Sequence, residues 1–414
     1  MATPTRIEDL ADETFNPFLA DELMFGDGER TYERLAELRA EGAVLPVDPE
    51  VARELPPVPV DAGKPRFMVL SYEAVGEVLA KPEVFSNRSF ESTLGVVFGP
   101  ILSVLDPPVH TRYRKLLQRA FRPQVVHSWG STFVAPAVDE LVTNVVGAGR
   151  AELVGDLARP LPFDVICAMV GLPGEDRDVF YRLTMAQLLN ALSMENAVDA
   201  ATKLGNFFRG LLEARREQPR DDLVSALATA EVDGESLPEE VAVAFLRQLM
   251  SAGGETTFRT LSMLLYALLT HPEQHDALRE DRSLVPAAIE EALRWEGPVV
   301  WSTRETTQQT VLAGVPLPAG AHLDVSFGAA NRDPAVFAHP DVFDIHRPKG
   351  RHFAFALGVH NCIGQQLARL EMTTALEALL DRAPQLRLDP DAPAPRVRGA
   401  AMRVPNALHV RPGG

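Results

Sequence analysis

A mainly α-helical protein with a minor, discontinuous β part is predicted by three features of the 414-residue sequence. From Asp106 to about Ala292, apolar residues recur with a helical period almost throughout, between acidic or Ser/Thr starts and Gly or Pro stops. One such pattern runs unbroken from Ser236 to Thr270. After Trp295 the chain changes to short apolar runs broken by turns, as in Val311 to Gly320 (VLAGVPLPAG), which is hairpin material.

Taken in order, residues 1–30 are expected to form a peripheral N-terminal segment, acidic at its start and broken by Pro17. The proline-rich stretch from Glu54 to Pro65 opens onto a strand-like run, Arg66 to Ser71 (RFMVLS), and Ser71 then caps a helix to Leu79. The long helix starts at Ser236-Leu-Pro-Glu239, a capping box with Ser236 as N-cap and Glu239 at N3. Its ~34 residues span ~50 Å, enough to cross the molecule. Gly253 and Gly254 sit in its middle, where each costs about 1 kcal/mol relative to alanine. A final helix follows Cys362, with Leu367, Leu370, Thr374 and Leu376 to Leu380 on its apolar face. Strand-like runs return near Leu386 to Leu388 and Leu408 to Val410. The first and last strands are expected to meet, which makes residues 1–414 one domain.

With 40 basic and 57 acidic side chains the formal net charge is −17, which argues against nucleic acid or anionic lipid as the main partner. Area scaling buries roughly three quarters of the chain's surface, so a large core is available. The two cysteines, Cys167 and Cys362, lie outside any CxxC, which disfavours a disulfide framework or a cysteine-rich zinc site and suits a reducing compartment. The N-terminus has no apolar signal region, and no run reaches 18 uncharged apolar residues. A cytoplasmic, unanchored protein is the expectation.

The strongest chemical signal is Phe355 to Gly364 (FALGVHNCIG), a turn-rich loop that feeds a helix. It places Cys362 at a helix N-terminus, where unpaired N–H groups stabilise a thiolate. Such a thiolate can be a nucleophile, a zinc ligand or an axial haem ligand, or the residue can be an inert buried cysteine. Zinc is disfavoured because only His360 offers a nearby second ligand. In the middle of the long helix, Ala252-Gly-Gly-Glu255-Thr256-Thr257 sets a carboxylate and a hydroxyl beside a glycine-weakened turn whose distortion could open a groove and pass protons into it. Flanking Phe245, Leu246, Leu249, Leu261, Leu264 and Leu265 mark that helix as buried. His110 and Arg114 share a face with Leu117 and Phe121 and suggest anion binding, although a snorkelling arginine has the same pattern. Arg304 follows ten residues after Arg294. Glu291 and Arg294, three apart, carry no signal by themselves, and Cys167 suits core packing.

Together these residues resemble the cytochrome P450 family of haem-thiolate monooxygenases in its soluble bacterial form. The cysteine loop, the Ala-Gly-x-Glu-Thr-Thr element, the Glu-x-x-Arg pair, His110/Arg114 and Asn331-Arg-Asp-Pro334 follow the family order over residues 66–410. The resemblance implies a fold with a long central helix over haem b and a cysteine-ligand loop leading into a helix. Cys362 would be the iron ligand. Ala252, Gly253, Phe355, Gly358 and Gly364 would border the haem, and His110, Arg114, Arg304 and His360 would hold its propionates. Glu291 and Arg294 would form a structural network with Phe343 and Arg347 in the joining segment, and Glu255 and Thr256 would deliver protons for O₂ activation. Electrons would come from NAD(P)H through a separate reductase and ferredoxin. The substrate would be a hydrophobic small molecule near Phe90, Leu94, Ser251, Ala252, Val299, Val300 and Met402. Ala356 departs from the family, which more often has glycine there.

A peroxide-driven peroxygenase, a cysteine hydrolase built on Cys362 and His360, and a haem sensor or carrier without turnover are the alternatives. The Glu255/Thr256 pair argues against the first and third, and a hydrolase needs an orienting group and an oxyanion hole that the sequence does not place. Between His110 and Arg122 there are five Lys or Arg and no acid. Arg112, Lys115, Arg119 and Arg122 fall on one side of that helix and suit an acidic ferredoxin.

Overall fold

The apolar patterns resolve into a small sheet region and a large helical body. The structure, a computed structural model, describes residues 28–48, 63–172, 177–188, 194–220 and 222–413. The expected peripheral segment, up to residue 27, and most of the proline-rich stretch after Glu54 lie outside the described residues.

Helix α1 (Thr31–Glu41) leads into β1 (Val44–Pro46), which pairs antiparallel with β2 (Arg66–Val69). The Ser71 side chain accepts a hydrogen bond from the Ala74 amide and starts α2 (Tyr72–Ala80) where the sequence placed it. Beyond β3 (Phe85–Ser86) come α3 (Val109–Ala120), α4 (Pro123–Trp129), α5 (Ala135–Gly147), the short β4 (Ala151–Glu152) and α6 (Pro160–Val170). They are followed by α7 (Arg177–Leu188), α8 (Met194–Glu217), α9 (Leu223–Ala228) and a hairpin of β5 (Glu231–Val232) and β6 (Glu235–Ser236).

The central helix α10 spans Glu239–Thr270, 32 residues. Its N-cap position is Pro238 with no side-chain cap, so the capping box does not form. Ser236 is committed to β6, and the extended backbone at Pro238 (ψ 134°) starts the helix two residues after it. Buried residues cover almost the whole circumference of α10, including Leu246, Leu261 and Leu264 at 0% exposure. Full burial of each such leucine stabilises by about 2 kcal/mol. The helix is continuous through 252–257, so no local distortion opens a groove. Gly253 instead permits close packing: a Cβ there would lie 2.6 Å from Ile166 Cδ1 of α6.

After α11 (Pro272–Glu280) and α12 (Val285–Trp295) come β7 (Trp301–Thr306), the predicted hairpin of β8 (Thr310–Leu312) and β9 (Val315–Leu317), β10 (His322–Ser326) and the short α13 (Phe327–Asn331). The last helix, α14 (Gln365–Arg382), precedes β11 (Arg387–Leu388), β12 (Val397–Arg398), β13 (Val404–Pro405) and β14 (His409–Arg411). The main sheet has the order β1-β2-β10-β7-β3, with β2 parallel to β10. The first and last strands do not meet: β14 pairs with β4 and β11 in a separate sheet. It is β10 that ties the N-terminal strands to the later part of the chain. Among the described residues, no helix is long and apolar enough to cross a membrane.

Candidate active site

A cavity of about 350 Å³ lies between α10 and the loop before α14, walled by α3, the segment 87–94 and the start of β7. The floor is set by local hydrogen bonds. The Cys362 amide donates to the Phe355 carbonyl at 2.9 Å, and the Asn361 side-chain amide donates to the carbonyls of Phe355 and Ala356. Arg114 Nη2 clamps the Asn361 carbonyl at 2.6 Å. Gly358 sits at φ +72°, and a Cβ there would lie 2.5 Å from the Leu79 carbonyl oxygen. Gly358 therefore shapes the loop from outside and does not line the cavity. Ala356 is also left-handed, at φ 56°, which gives the physical reason why glycine suits that position.

The Cys362 thiol keeps its accessible surface towards the cavity. Burial raises its pKa, and the amides of Gly364 and Gln365 and the charges of Arg114 and Arg369 pull the other way without prevailing. The helix-end donors expected from the sequence are thus present, but burial outweighs them until a metal coordinates the sulfur, which ionises a thiol outright. Cys167 is 1% exposed in the core, and burial pushes its thiol far up.

On the wall, His110, Arg114, Arg304 and His360 converge. The His110 and His360 rings are 4.3 Å apart. Burial, reinforced by the charges of His360 and Arg114, brings His110 down to about 4. Burial also lowers His360, with Asp106 opposing it. Burial takes Arg304 down to about 10. Both ring nitrogens of His110 are buried without a hydrogen-bond partner, and His360 Nε2 has only the Asp106 carboxylate, 3.8 Å away. Arg304 donates to Ser302 Oγ and to the Thr303 carbonyl. Each neutral imidazole has one N–H to donate, and together with the Arg114 and Arg304 guanidinium groups these donors suit an anionic acceptor. Such a set would fit the propionates of a haem, with the Cys362 thiol as the candidate iron ligand. Among the described residues, no group of three or more His, Cys, Asp or Glu side chains is arranged to hold a metal, so an ion on Cys362 would take its other ligands from a cofactor.

The family model for cytochrome P450 matches residues 178–395. A steroid C26-monooxygenase of Mycobacterium tuberculosis (strain CDC 1551 / Oshkosh) is 39% identical over 78% of this chain and 87% of its own length. The cytochrome P450 monooxygenase PikC of Streptomyces venezuelae is 37% identical over 89% of each chain. The crystal structure of CYP109E1 from Bacillus megaterium in complex with testosterone superposes with a TM-score of 0.81 at 30% identity, over 92% of this chain and 99% of that one. The chain belongs to the cytochrome P450 family. It is a haem-dependent monooxygenase that takes oxygen from O₂, acts on a small molecule and depends on redox partners.

Within this P450, Ala252, Gly253, Phe355 and Gly364 line the cavity beside the thiol, as do Phe90, Leu94 and Val299. Ser251, Val300 and Met402 do not. Val300, just before β7, packs instead into a cluster with Leu35, Leu38, Met68 and Leu70. Ser251, one helix step from Ala252, accepts a hydrogen bond from Gln187 at 3.3 Å. Met402 contributes backbone: it bridges to Val299, and its carbonyl accepts from Arg259.

The mid-helix pair also separates. Thr256 lines the cavity and donates its hydroxyl to the Ala252 carbonyl at 2.8 Å. Glu255 stands off the wall, buried, with its carboxylate 2.8 Å from Arg259 Nη2. Glu291 and Arg294, each 3% exposed, form a bidentate pair, and Arg347 Nε joins the same carboxylate at 3.0 Å. Arg294 also donates to the carbonyls of Asn331, Pro340 and Val342, while Phe343 packs on Trp295 and His271. The network is therefore a buried tie between α12 and the segment 331–347.

Sequence reasoning missed Glu371 and Asn87. Glu371 of α14 is 1% exposed and borders the cavity, and burial pushes its carboxyl up to about 8. Its signal was available, since it lies four residues from Leu367 on the apolar face. Asn87 approaches His360 Nδ1 at 3.2 Å and had no local signal.

Proposed function

We propose that this P450 holds haem b through Cys362, with His110, Arg114, Arg304 and His360 at the propionates, and oxidises a hydrophobic small molecule. The observation that carries the reading is one cavity with a thiol on its floor and, on its wall, the buried His110 ring, whose two nitrogens have no hydrogen-bond partner. The haem supplies the oxidising chemistry. The chain's own residues position it, keep the site dry and move protons. Thr256, on the wall, takes the proton-donating position, and Glu255 acts one step behind it, with its release from Arg259 as the supply step. This hydroxyl and carboxylate pair favours use of O₂ over a peroxide-driven route. Phe90, Leu94, Leu249 and Val299 make the substrate side apolar. Because two of the related proteins are named for or crystallised with steroids, a steroid-sized apolar molecule is the first substrate class to screen.

Electrons originate at NAD(P)H and arrive through a separate reductase and an acidic ferredoxin, in the cytoplasm, with residues 1–414 acting as one domain. Arg112, Lys115, Arg119 and Arg122 are all exposed. Val109 (45%) and Val359 (36%), chain neighbours of the two close imidazoles, are exposed apolar residues that add a contact centre to the basic rim.

The deciding experiment is the spectrum of the reduced carbon-monoxide complex. Cys362→Ala should abolish the long-wavelength Soret band, and Cys167→Ala should leave it in place. An unchanged band in Cys362→Ala overturns the ligand assignment.

A further inference from the structure

Arg112 differs from the other three cations of the basic face. Its Nε lies 2.8 Å from Asp233 and its Nη2 3.9 Å from Glu235, and Nη2 also donates to the Val232 carbonyl at 3.3 Å. All three partners belong to the β5–β6 hairpin. Lys115, Arg119 and Arg122 form no ion pair or side-chain hydrogen bond with any described residue. The hairpin is small, two residues to a strand, and its Asp233-Gly234 turn, at φ 56° and 85°, presents both carboxylates to solvent. Asp233 and Glu235 are 74% and 86% exposed, so water screens their hold on Arg112.

We propose that the acidic hairpin 231–236 is an internal competitor for the electron donor, occupying Arg112 until an acidic ferredoxin displaces it. The inference rests on the docking surface proposed above. A carboxylate of the incoming protein replaces that of Asp233 on the same guanidinium, so one exposed ion pair is exchanged for another. The exchange favours docking only when Lys115, Arg119 and Arg122 are engaged at the same time. A partner with a single acidic residue is rejected, and a patterned acidic face is accepted.

The test uses the haem-loaded enzyme and a purified plant-type [2Fe–2S] ferredoxin, with the dissociation constant measured at low and raised salt. Asp233→Asn/Glu235→Gln should tighten binding by about two- to fivefold, the range of one exposed ion pair, and steepen the salt dependence. In an Arg112→Gln background the same pair of changes should have no further effect. Equal tightening in both backgrounds would show a general charge effect and overturn the proposal. It is also overturned if the hairpin variant binds like the parent while Lys115→Glu/Arg119→Glu weakens binding, an outcome that leaves the docking surface standing. If Lys115→Glu/Arg119→Glu also changes nothing, the docking surface itself is wrong and the competitor role falls with it.

Discussion

At the residue scale, neighbours in sequence are given different tasks by the partners they meet. Thr256 and Glu255 are adjacent on α10, yet the first lines the cavity and the second is held by a guanidinium that is 0% exposed. Thr256→Ala should therefore uncouple turnover, lowering product per NAD(P)H by about tenfold or more while hydrogen peroxide rises, with stability nearly unchanged. Glu255→Gln should uncouple as well and also destabilise the fold, by roughly 3 kcal/mol at most, because it takes a carboxylate charge away from the buried Arg259. Coupling at the wild-type level in both variants would assign the pair a structural role.

Glu371 has the opposite electrostatics. Burial alone raises its carboxyl to about 8, so the folded state favours the protonated form, whereas the unfolded chain ionises near the ordinary value of about 4.3. The unfolded state thus gains stability as pH rises through that window, and the fold loses it until about pH 8. Glu371→Gln should flatten this slope, with little effect at pH 4 and a gain on the order of 3 kcal/mol at pH 7 in denaturant titrations. Parallel pH profiles for variant and parent would show that the carboxyl finds a partner in solution.

At the scale of elements, the cysteine loop shows how backbone sterics fix a site. Gly358 occupies a left-handed conformation and abuts backbone at Leu79, which cannot move aside as a side-chain tip would. Gly358→Ala should cost more than about 2 kcal/mol and lower haem content. Ala356 is strained in the opposite sense, so Ala356→Gly should relieve left-handed strain of about 1 kcal/mol against a smaller entropic loss, a net gain of roughly 0.5 kcal/mol. Thermal unfolding of both variants checks the pair, and a stabilised Gly358→Ala would refute the steric account. Gly253 needs a different explanation, since its backbone is ordinary helix and its value lies in the approach of α6 through Ile166.

At the scale of the whole molecule, the floor of the site depends on ties between distant segments. Glu291 holds Arg294 and Arg347 together, and these in turn hold the carbonyls of residues 331–342. Removing the one carboxylate leaves two largely buried guanidinium groups unbalanced. Glu291→Gln should lower stability by about 3–5 kcal/mol and reduce haem retention, measured by denaturation and by haem content after purification. A loss below about 1 kcal/mol would show that the carbonyls alone suffice.

The sequence by itself determined the helical body, the central helix to within three residues at its start, the hairpin 310–317 and the loop that presents Cys362. Each is encoded by contiguous residues, through period, turn chemistry or glycine, and needs no knowledge of distant neighbours. Tertiary structure alone decided which side of each element meets the cavity. Val299 faces it and Val300 does not, because the segment leading into β7 runs between the cavity on one side and a cluster of α1 and residues 68–70 on the other. It also decided that β14 would pair with β4 instead of β2, that Arg112 would be claimed by Asp233, and that Glu371 would be left in apolar surroundings. Periodicity gives a helix or strand its faces, but the rotation of those faces is fixed only by packing against segments far along the chain, where burial and charge energies outweigh local preference.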